Sequence, residues 1–527
     1  MFGLKRSLIL VFCVFFCVVS FSQNKKKPKL VVGIVLENFN PDYFEKYLSD
    51  FSNDGFKRLI NKGVYYKNAS YPYMYSLTGV DQASIFTGCM PANHGVISHA
   101  WYNRFYKKAI DNIAPDNYSS SRKERENYFS PKKLLAASLG DALKEYSACS
   151  RVFGIAMNAE SSIFSAGHRA DAAYWFSRFK GEWRSSSYYM DSLYSWGKVF
   201  NENLNLKYLL TRGWHPLSFE RMDTCYPSLS KKFYHDLLKV KSRTGDYKVI
   251  KETPYANTLI SEFARNLIIN ENLGSDNDVD LLNISYSFLG AKCNRYLIDE
   301  AEKIDALYRL DSDLEKLFLF LDEQVGKDNY LIMLTVSDAM IEKPESLKLK
   351  KMPSGYFNSY KAVSLLRSYL NIKFGAGNWI SSYDSQQIYL NHILIEDKKI
   401  NLREFQDIVV DFLSEFEGID KVIPGYALRF NQFAEGKEKR MHFSYNKKRS
   451  GDIMYSLAYA WTNSLNDRED YLAKYSYKRK VPLFFYGLGI EAKTVEQRVS
   501  VLDIAPSLLS KMNLPIMEEC TGRILDF

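Results

Sequence analysis

Continuous apolar runs alternate along the chain with segments that have helical spacing. Five runs are uninterrupted enough to predict strands buried on both faces, which we expect to be parallel: residues 30–36, 152–157, 281–286, 330–336 and 481–486. Apolar residues recur every three or four positions from Ile304 to Leu321, which predicts an amphipathic helix just before the fourth run. The alternation predicts an α/β protein with a mostly parallel central sheet and helices on both faces. In such sheets functional groups lie beyond the carboxyl ends of the strands.

Two long segments interrupt this alternation. Residues 177–250 are rich in Trp, Tyr, Ser and Lys, and we expect them to form an irregular cap insert. Residues 341–445 contain a strand-like run at 387–390 and an amphipathic helix over 402–416, which predicts a small α+β lobe.

The first 22 residues have the pattern of a signal peptide. Lys5 and Arg6 precede an apolar run over 8–19, and small polar residues follow it. The run is short for a transmembrane helix, so a signal anchor is the weaker alternative. No later stretch approaches 18 uninterrupted apolar residues. We therefore expect residues 23–527 to be exported to the periplasm or the cell envelope, with no transmembrane span after cleavage.

The composition is that of a globular protein, with 46% apolar and 25% charged residues among 527. The net charge of +9 is spread along the chain, and no arginine-rich arm or nucleic-acid motif accompanies it, so we expect no nucleic-acid partner. Five cysteines follow the signal segment, without a C-x-x-C pair: Cys89, Cys149, Cys225, Cys293 and Cys520. This pattern excludes a disulfide scaffold and a zinc ribbon, and it leaves any pairing open.

An ordered set of short motifs covers nearly the whole mature chain. The motifs include Lys29-Leu-Val-Val-Gly-Ile-Val, Ile85-Phe-Thr-Gly, Pro91-Ala-Asn-His-Gly, Trp101-Tyr-Asn-Arg, Ala166-Gly-His, Leu307-Tyr-Arg-Leu-Asp, Arg449-Ser-Gly-Asp and Asp503-Ile-Ala-Pro. Together they resemble the alkaline phosphatase superfamily, in particular its periplasmic phosphate-irrepressible alkaline phosphatases and nucleotide pyrophosphatase/phosphodiesterases. The resemblance implies an alkaline-phosphatase-like sandwich with a cap insert and a small lobe.

The resemblance also implies a chemistry that needs two zinc ions, a Thr or Ser nucleophile at a helix N-terminus, and cationic and amide donors for the phosphoryl oxygens. The nucleophile position is Thr78, which is retained. The other implied positions depart from the family pattern: Glu37 replaces the first Asp ligand, His99 an Asn, Asn158 and Glu160 a Lys and an Arg, Gly290 and Asn294 an Asp and a His, Ser337 and Asp338 an Asp–His pair, and Lys480 the last His.

The histidine content supports the same interpretation without any alignment. The chain has only seven His residues, and none lies between 236 and 391. Zinc sites of this kind depend on imidazole and carboxylate ligands, so we predict that the two-zinc site is lost and that no cofactor is bound. Glu37 and Asp338 leave open a single Mg²⁺ or Ca²⁺ held by carboxylates.

Five residues can be interpreted further from their surroundings. Thr78 precedes Gly-Val-Asp and an apolar run, which predicts a helix N-cap with Asp81 at the third helical position. His94 and His168 are expected to be structural residues of the core or loops. His99 is either a pocket group or a surface loop residue. Glu160 would repel a phosphate in the pocket.

The first functional hypothesis is a catalytically inactive, exported relative of alkaline phosphatase, with a binding, scaffolding or envelope-assembly role and a protein partner in the cell envelope. The alternative is a metal-dependent phosphomonoesterase or phosphodiesterase that uses Thr78 with a remodelled, non-zinc site. A third hypothesis is a pocket that accepts a cationic or neutral ligand, since Glu37, Glu160 and Asp338 would lie near one another.

Overall fold

The computed structural model describes residues 26–116, 122–217, 233–289, 300–337, 344–384, 386–463 and 480–527. The predicted signal peptide lies outside these ranges. The strands are β1 (Leu30–Glu37), β2 (Val64–Ser70), β3 (Ala100–Asn103), β4 (Lys108–Asp111), β5 (Val152–Ala156), β6 (Ala172–Ser177), β7 (Glu182–Arg184), β8 (Asp280–Ser287), β9 (Tyr330–Ser337), β10 (Gly355–Phe357), β11 (Ile380–Asp384), β12 (Gln387–Leu390), β13 (Ile419–Pro424), β14 (Ile453–Leu457), β15 (Trp461–Asn463), β16 (Lys480–Gly487), β17 (Lys493–Val495) and β18 (Val499–Ser500).

Helices connect and cover these strands. They are α1 (Tyr43–Lys46), α2 (Phe56–Lys62), α3 (Thr78–Thr87), α4 (Pro91–His94), α5 (Arg122–Arg125), α6 (Leu139–Tyr146), α7 (Ala159–Ala166), α8 (Ser195–Asn203), α9 (Leu206–Arg212), α10 (Leu237–Thr244), α11 (Lys248–Lys251), α12 (Tyr255–Asn270), α13 (Glu300–Gln324), α14 (Pro344–Leu349), α15 (Ser359–Phe374), α16 (His392–Asp397), α17 (Leu402–Ser414), α18 (Gly425–Phe430), α19 (Gly436–Ser444) and α20 (Ile504–Lys511). Within the described ranges, no helix combines the length and the hydrophobicity needed to cross a bilayer.

The central sheet has the strand order β17-β2-β16-β9-β1-β8-β5-β6-β7, and β18 pairs with β2. Its middle strands β1, β8 and β9 are buried along their whole length, as their apolar sequences predict. They are parallel and in register, so that Glu37 pairs with both Ser287 and Ser337. The predicted helix before β9 is α13, whose apolar positions are buried. The predicted fold class is thus confirmed.

One strand departs from the prediction. The run at 481–486 forms β16, but β16 is antiparallel to both of its neighbours, β9 and β2. The expectation of a parallel strand was wrong because an antiparallel strand in the middle of a covered sheet is buried on both faces too. Its sequence is therefore just as apolar, and hydrophobicity alone does not report its direction.

Helix α3 is buried along its whole length and packs against the central sheet. Gly33 in β1 permits this contact, because a Cβ there would lie 2.5 Å from Asn283 Oδ1 and 3.1 Å from the ring of Phe86 on α3. The missing side chain thus lets the helix that begins at Thr78 approach the strand that ends at Glu37.

The two segments predicted to interrupt the alternation contain regular elements. Residues 177–250 carry β7 and the helices α8 to α11. Within 341–445, the predicted strand is β12 and the predicted helix is α17. Strands β11, β12, β14 and β13 form a separate antiparallel sheet with its own apolar core around Trp379 and Phe405. The boundaries of the cap and the lobe stay predictions.

Candidate functional site

The carboxyl edge of the central sheet brings most of the predicted site residues together. Glu37 and Ser337 end the paired strands β1 and β9. Because β16 runs in the opposite direction to β9, its first residue, Lys480, lies at the same edge. Asn158 follows β5 and is the N-cap of α7. Four strands therefore bring polar groups to one edge, the position expected for a functional site in this type of sheet.

Thr78 is the first residue of α3 and is 9% exposed. The prediction that its side chain caps the helix was wrong: the N-cap is Leu77, whose backbone is extended (φ −139°, ψ 146°) and which offers no capping side chain. The helix begins one residue earlier than the sequence pattern indicates. Asp81 instead accepts hydrogen bonds from Tyr73 Oη at 2.7 Å and Ser76 Oγ at 2.6 Å, and so holds the segment that leads into the helix.

Glu37 is a buried carboxylate whose two oxygens each face a side-chain amide. Gln82 Nε2 donates to Oε1 and Asn158 Nδ2 donates to Oε2, both at 3.4 Å. Burial raises the pKa of Glu37 to about 7, the polar side chains of Ser161, Asn158 and Gln82 lower it, and the charge of Glu160 raises it further. The burial of Glu37 therefore favours the protonated form of its carboxyl group.

His99 and Glu160 are hydrogen-bonded to each other beside the start of α3. His99 Nδ1 donates to Glu160 Oε2 at 2.7 Å, with side chains that are 44% and 16% exposed. Gly79 makes room for this pair, because a Cβ at that position would lie 2.6 Å from the same Glu160 oxygen. The pair therefore lies next to Gly79 and close to Thr78.

All seven histidines lie within the described ranges, and each has a partner. His94 contacts Ser84 Oγ at 2.9 Å, His99 Glu160 at 2.7 Å, His168 Asp141 at 2.9 Å, His215 the carbonyl oxygen of Pro216 at 3.2 Å, His235 Glu302 at 3.2 Å, His392 Asp452 at 2.8 Å and His442 the carbonyl oxygen of Leu428 at 2.7 Å. His94 and His168 are thus structural residues, as predicted. Burial lowers the pKa of His94 to about 3, so its imidazole is neutral.

This donor set does not fit a centre of two zinc ions. Such centres are built from imidazoles and carboxylates, and the six histidines other than His99 contact residues that are not among the predicted site positions. Within the described ranges, no group of three or more His, Cys, Asp or Glu side chains is arranged to hold a metal ion.

Five predicted positions remain, and two of them lie within the described residues. Gly290, Asn294 and Asp338 lie outside the described residues. Ser337 is fully buried, and its hydroxyl has no hydrogen-bond partner among the described residues. Lys480 is exposed at the start of β16.

Sequence reasoning missed three polar residues around Glu37. Gln82 on α3 also donates to Ser285 Oγ at 2.8 Å, and Ser161 on α7 contributes to the pKa of Glu37. Each of these residues is buried. Gln82 and Ser285 are polar residues within segments that are buried along their whole length. That contrast is the signal that could have found them.

Comparisons with known proteins agree with this architecture. The profile of the family "type I phosphodiesterase / nucleotide pyrophosphatase" matches residues 31–480. A protein of Myroides odoratus named a calcium-transporting ATPase is 30% identical over 96% of this chain and 95% of its own length. Alkaline phosphatase PafA of Elizabethkingia meningoseptica is 28% identical over 94% of both chains.

A crystal structure of wild-type alkaline phosphatase PafA has a TM-score of 0.84 at 26% identity, covering 95% of this chain and 98% of that one. The resemblance inferred from the sequence motifs is thus confirmed at the level of the superfamily and the fold. Because the family profile matches most of the chain and the fold is shared, the chain belongs to the type I phosphodiesterase/nucleotide pyrophosphatase family of the alkaline phosphatase superfamily.

Proposed function

We propose that this chain is a non-hydrolysing member of its family, without the two-zinc centre, that acts in the cell envelope as a binding or scaffolding protein. The observation that carries the proposal is the placement of the histidines. Only His99 lies at the candidate site, and it is engaged by Glu160. A zinc pair that activates the Thr78 hydroxyl and neutralises a phosphoryl group would lack the imidazole ligands that such centres use.

Two further features of the pocket support the proposal. The oxygens of Glu37 face amide N–H groups, which occupy the directions from which a cation would approach. The positions that the family resemblance assigns to Lys and Arg hold Asn158 and Glu160, so the pocket has lost two positive charges and gained a negative one. An anionic phosphate is repelled by this arrangement.

Elemental analysis and hydrolysis assays test the loss of catalysis. The purified mature chain should contain no stoichiometric zinc and should not hydrolyse nitrophenyl phosphate or bis-nitrophenyl phosphate, while PafA prepared in parallel does. The Thr78→Ala variant should behave like the wild type in the same assays. Bound zinc, together with turnover that Thr78→Ala abolishes, would overturn the proposal.

The proposed role also requires export and a partner. Fractionation of cells that produce the full chain should place the mature protein in the periplasm or envelope, and a chain without residues 1–22 should remain in the cytoplasm. Crosslinking in the native envelope, followed by affinity purification and mass spectrometry, should recover a specific protein partner. Recovery of only the chain itself would argue against a scaffolding role.

A second candidate function is a hydrolase that uses one hard cation in place of zinc. It is favoured by Thr78, which begins the buried helix α3 at the carboxyl edge, and by the carboxylates Glu37 and Asp338. Assays with Mg²⁺, Mn²⁺ and Ca²⁺ should then reveal activity with one ion that Glu37→Ala abolishes. The exposed Glu417→Ala serves as the matched control and should leave it unchanged. If no hydrolytic activity appears with any of the three ions, this second candidate function is ruled out.

A further inference from the structure

The segment at 517–521 lies against the end of α3, and this contact brings two cysteines together. The amide of Thr521 donates to the carbonyl oxygen of Gly88 at 3.0 Å, and its hydroxyl contacts the same oxygen at 3.2 Å. Gly88 ends α3 in the left-handed conformation (φ 66°) and directly precedes Cys89. Cys520 directly precedes Thr521. These hydrogen bonds hold the segment with Cys520 against the end of α3, so that Cys89 and Cys520 lie on two segments that face each other.

The two sulfur atoms are placed reciprocally. Cys89 Sγ donates to the carbonyl oxygen of Glu519 at 2.9 Å, and Cys520 Sγ donates to the carbonyl oxygen of Gly88 at 3.6 Å. Each thiol thus contacts the residue that precedes the other cysteine. A Cβ on Gly88 would lie 2.4 Å from Cys520 Sγ, so the sulfur is packed against the backbone next to Cys89.

We propose that Cys89 and Cys520 form a disulfide bond in the exported protein, which ties the C-terminal segment to the end of α3. The bond forms as the two S–H bonds break: two protons leave to solvent and two electrons pass to an external disulfide, of a thiol oxidoreductase or a small molecule, which is reduced to two thiols. The third described cysteine, Cys149, is exposed and is not part of this contact.

The burial of the pair indicates when the bond would form. Burial raises the pKa of the Cys89 thiol to about 12, and it also raises the pKa of Cys520. Because the thiolate is the reacting species, both thiols react slowly once the segment is docked. We therefore expect oxidation during folding in an oxidising compartment, and resistance of the finished bond to mild reductants.

Peptide mapping tests the pairing directly. The full mature chain, refolded with oxidised glutathione, is alkylated under denaturing conditions and digested with trypsin without reduction. The tryptic peptides over residues 68–104 and 512–523 should appear as one disulfide-linked species that separates on reduction. Recovery of both cysteines in alkylated form, or either one linked to Cys149, Cys225 or Cys293, would overturn the proposal.

Thermal unfolding provides a second readout with a matched control. A strong reductant applied during refolding should lower the unfolding temperature of the wild type by several degrees, because the bond closes a very long loop. Cys520→Ser should remove this response without preventing folding, since its side chain is only partly buried. Cys149→Ser should keep the full response, and an equal loss in both variants would contradict the assignment.

Discussion

His99 Nδ1 lies 2.7 Å from Glu160 Oε2, and this contact places a carboxylate beside the residue at the nucleophile position. The two residues come from separate elements, since His99 precedes β3 and Glu160 lies in the first turn of α7. Gly79 completes the arrangement, because its missing side chain leaves the space that Glu160 fills. The contact thus links the loop before β3 to the first turn of α7 next to the start of α3.

Restoring the two cations should restore phosphate binding. We expect the double variant Asn158→Lys, Glu160→Arg to bind inorganic phosphate about tenfold or more tightly than the wild type, because attraction replaces repulsion in a partly buried pocket. Isothermal titration calorimetry measures the affinity. The exposed Glu417→Arg makes the same charge change as Glu160→Arg and should leave the affinity unchanged. No gain in the double variant would show that Glu160 does not exclude the anion.

Glu37 should make the chain less stable as the pH rises from about 4.5 to about 7. Its pKa is raised from an ordinary 4.5 to about 7, so the native state holds a proton across this window that the unfolded chain has released. The free energy of unfolding should fall by up to about 3 kcal/mol over the window and lose nothing further above it. Denaturant titrations at a series of pH values measure this slope.

The variant Glu37→Gln should remove the part of the slope that Glu37 contributes. Asp313 on α13 is a control, because burial raises its pKa to about 7 as well and it belongs to a helix on the sheet surface. Asp313→Asn should therefore remove a comparable part. An unchanged slope in Glu37→Gln would mean that Glu37 stays ionised, which a bound cation would explain.

The close approach of α3 to β1 should make Gly33 intolerant of a side chain. Gly33→Ala places a methyl group 2.5 Å from Asn283 Oδ1 and against Phe86, and we expect it to lower the free energy of unfolding by about 1–3 kcal/mol. Gly197 in α8 is the matched control, since the nearest atom to its Cβ would be 3.8 Å away. Gly197→Ala should stabilise by about 0.5–1 kcal/mol because alanine favours a helix. Equal effects would contradict the packing argument.

The central strands could be predicted from the sequence because a strand that is buried on both faces has a nearly continuous run of apolar residues. Strands β1, β8 and β9 and the helix α13 fall where the apolar patterns place them. The direction of β16 could not be predicted, since direction changes the hydrogen-bond pattern but not the burial of the side chains.

Residues of the candidate site could be predicted from the sequence only where they directly follow a strand. Glu37 follows that rule, but its partners Gln82 and Ser161 belong to helices and meet it through tertiary packing. Likewise, the sequence left His99 between the pocket and the surface, because its partner Glu160 is 61 residues away along the chain. Contacts of this kind depend on how the helices dock onto the sheet, which no local pattern encodes.

Asp452 joins the small lobe to the hairpin of β3 and β4, and its loss should destabilise the chain. Its carboxylate accepts from His392 Nε2 and the amide of Leu390, both at 2.8 Å, and pairs with Arg104 at 3.1 Å. Burial raises the pKa of Asp452, but the hydrogen bond from His392 and the charge of Arg104 outweigh it and hold the pKa below its ordinary value. Its stabilising effect is therefore present at neutral pH and is lost as the pH falls below about 4.

We expect Asp452→Asn to lower the free energy of unfolding at pH 7 by about 3 kcal/mol, because it removes the buried negative charge that pairs with Arg104 and accepts hydrogen bonds from His392 and Leu390. The difference from the wild type should shrink in acid, where the wild-type carboxylate is protonated and no longer stabilises the fold. Asp411→Asn on the exposed side of α17 should change stability by less than about 0.5 kcal/mol. If the two variants unfold at the same denaturant concentration at pH 7, Asp452 does not hold the lobe to the hairpin.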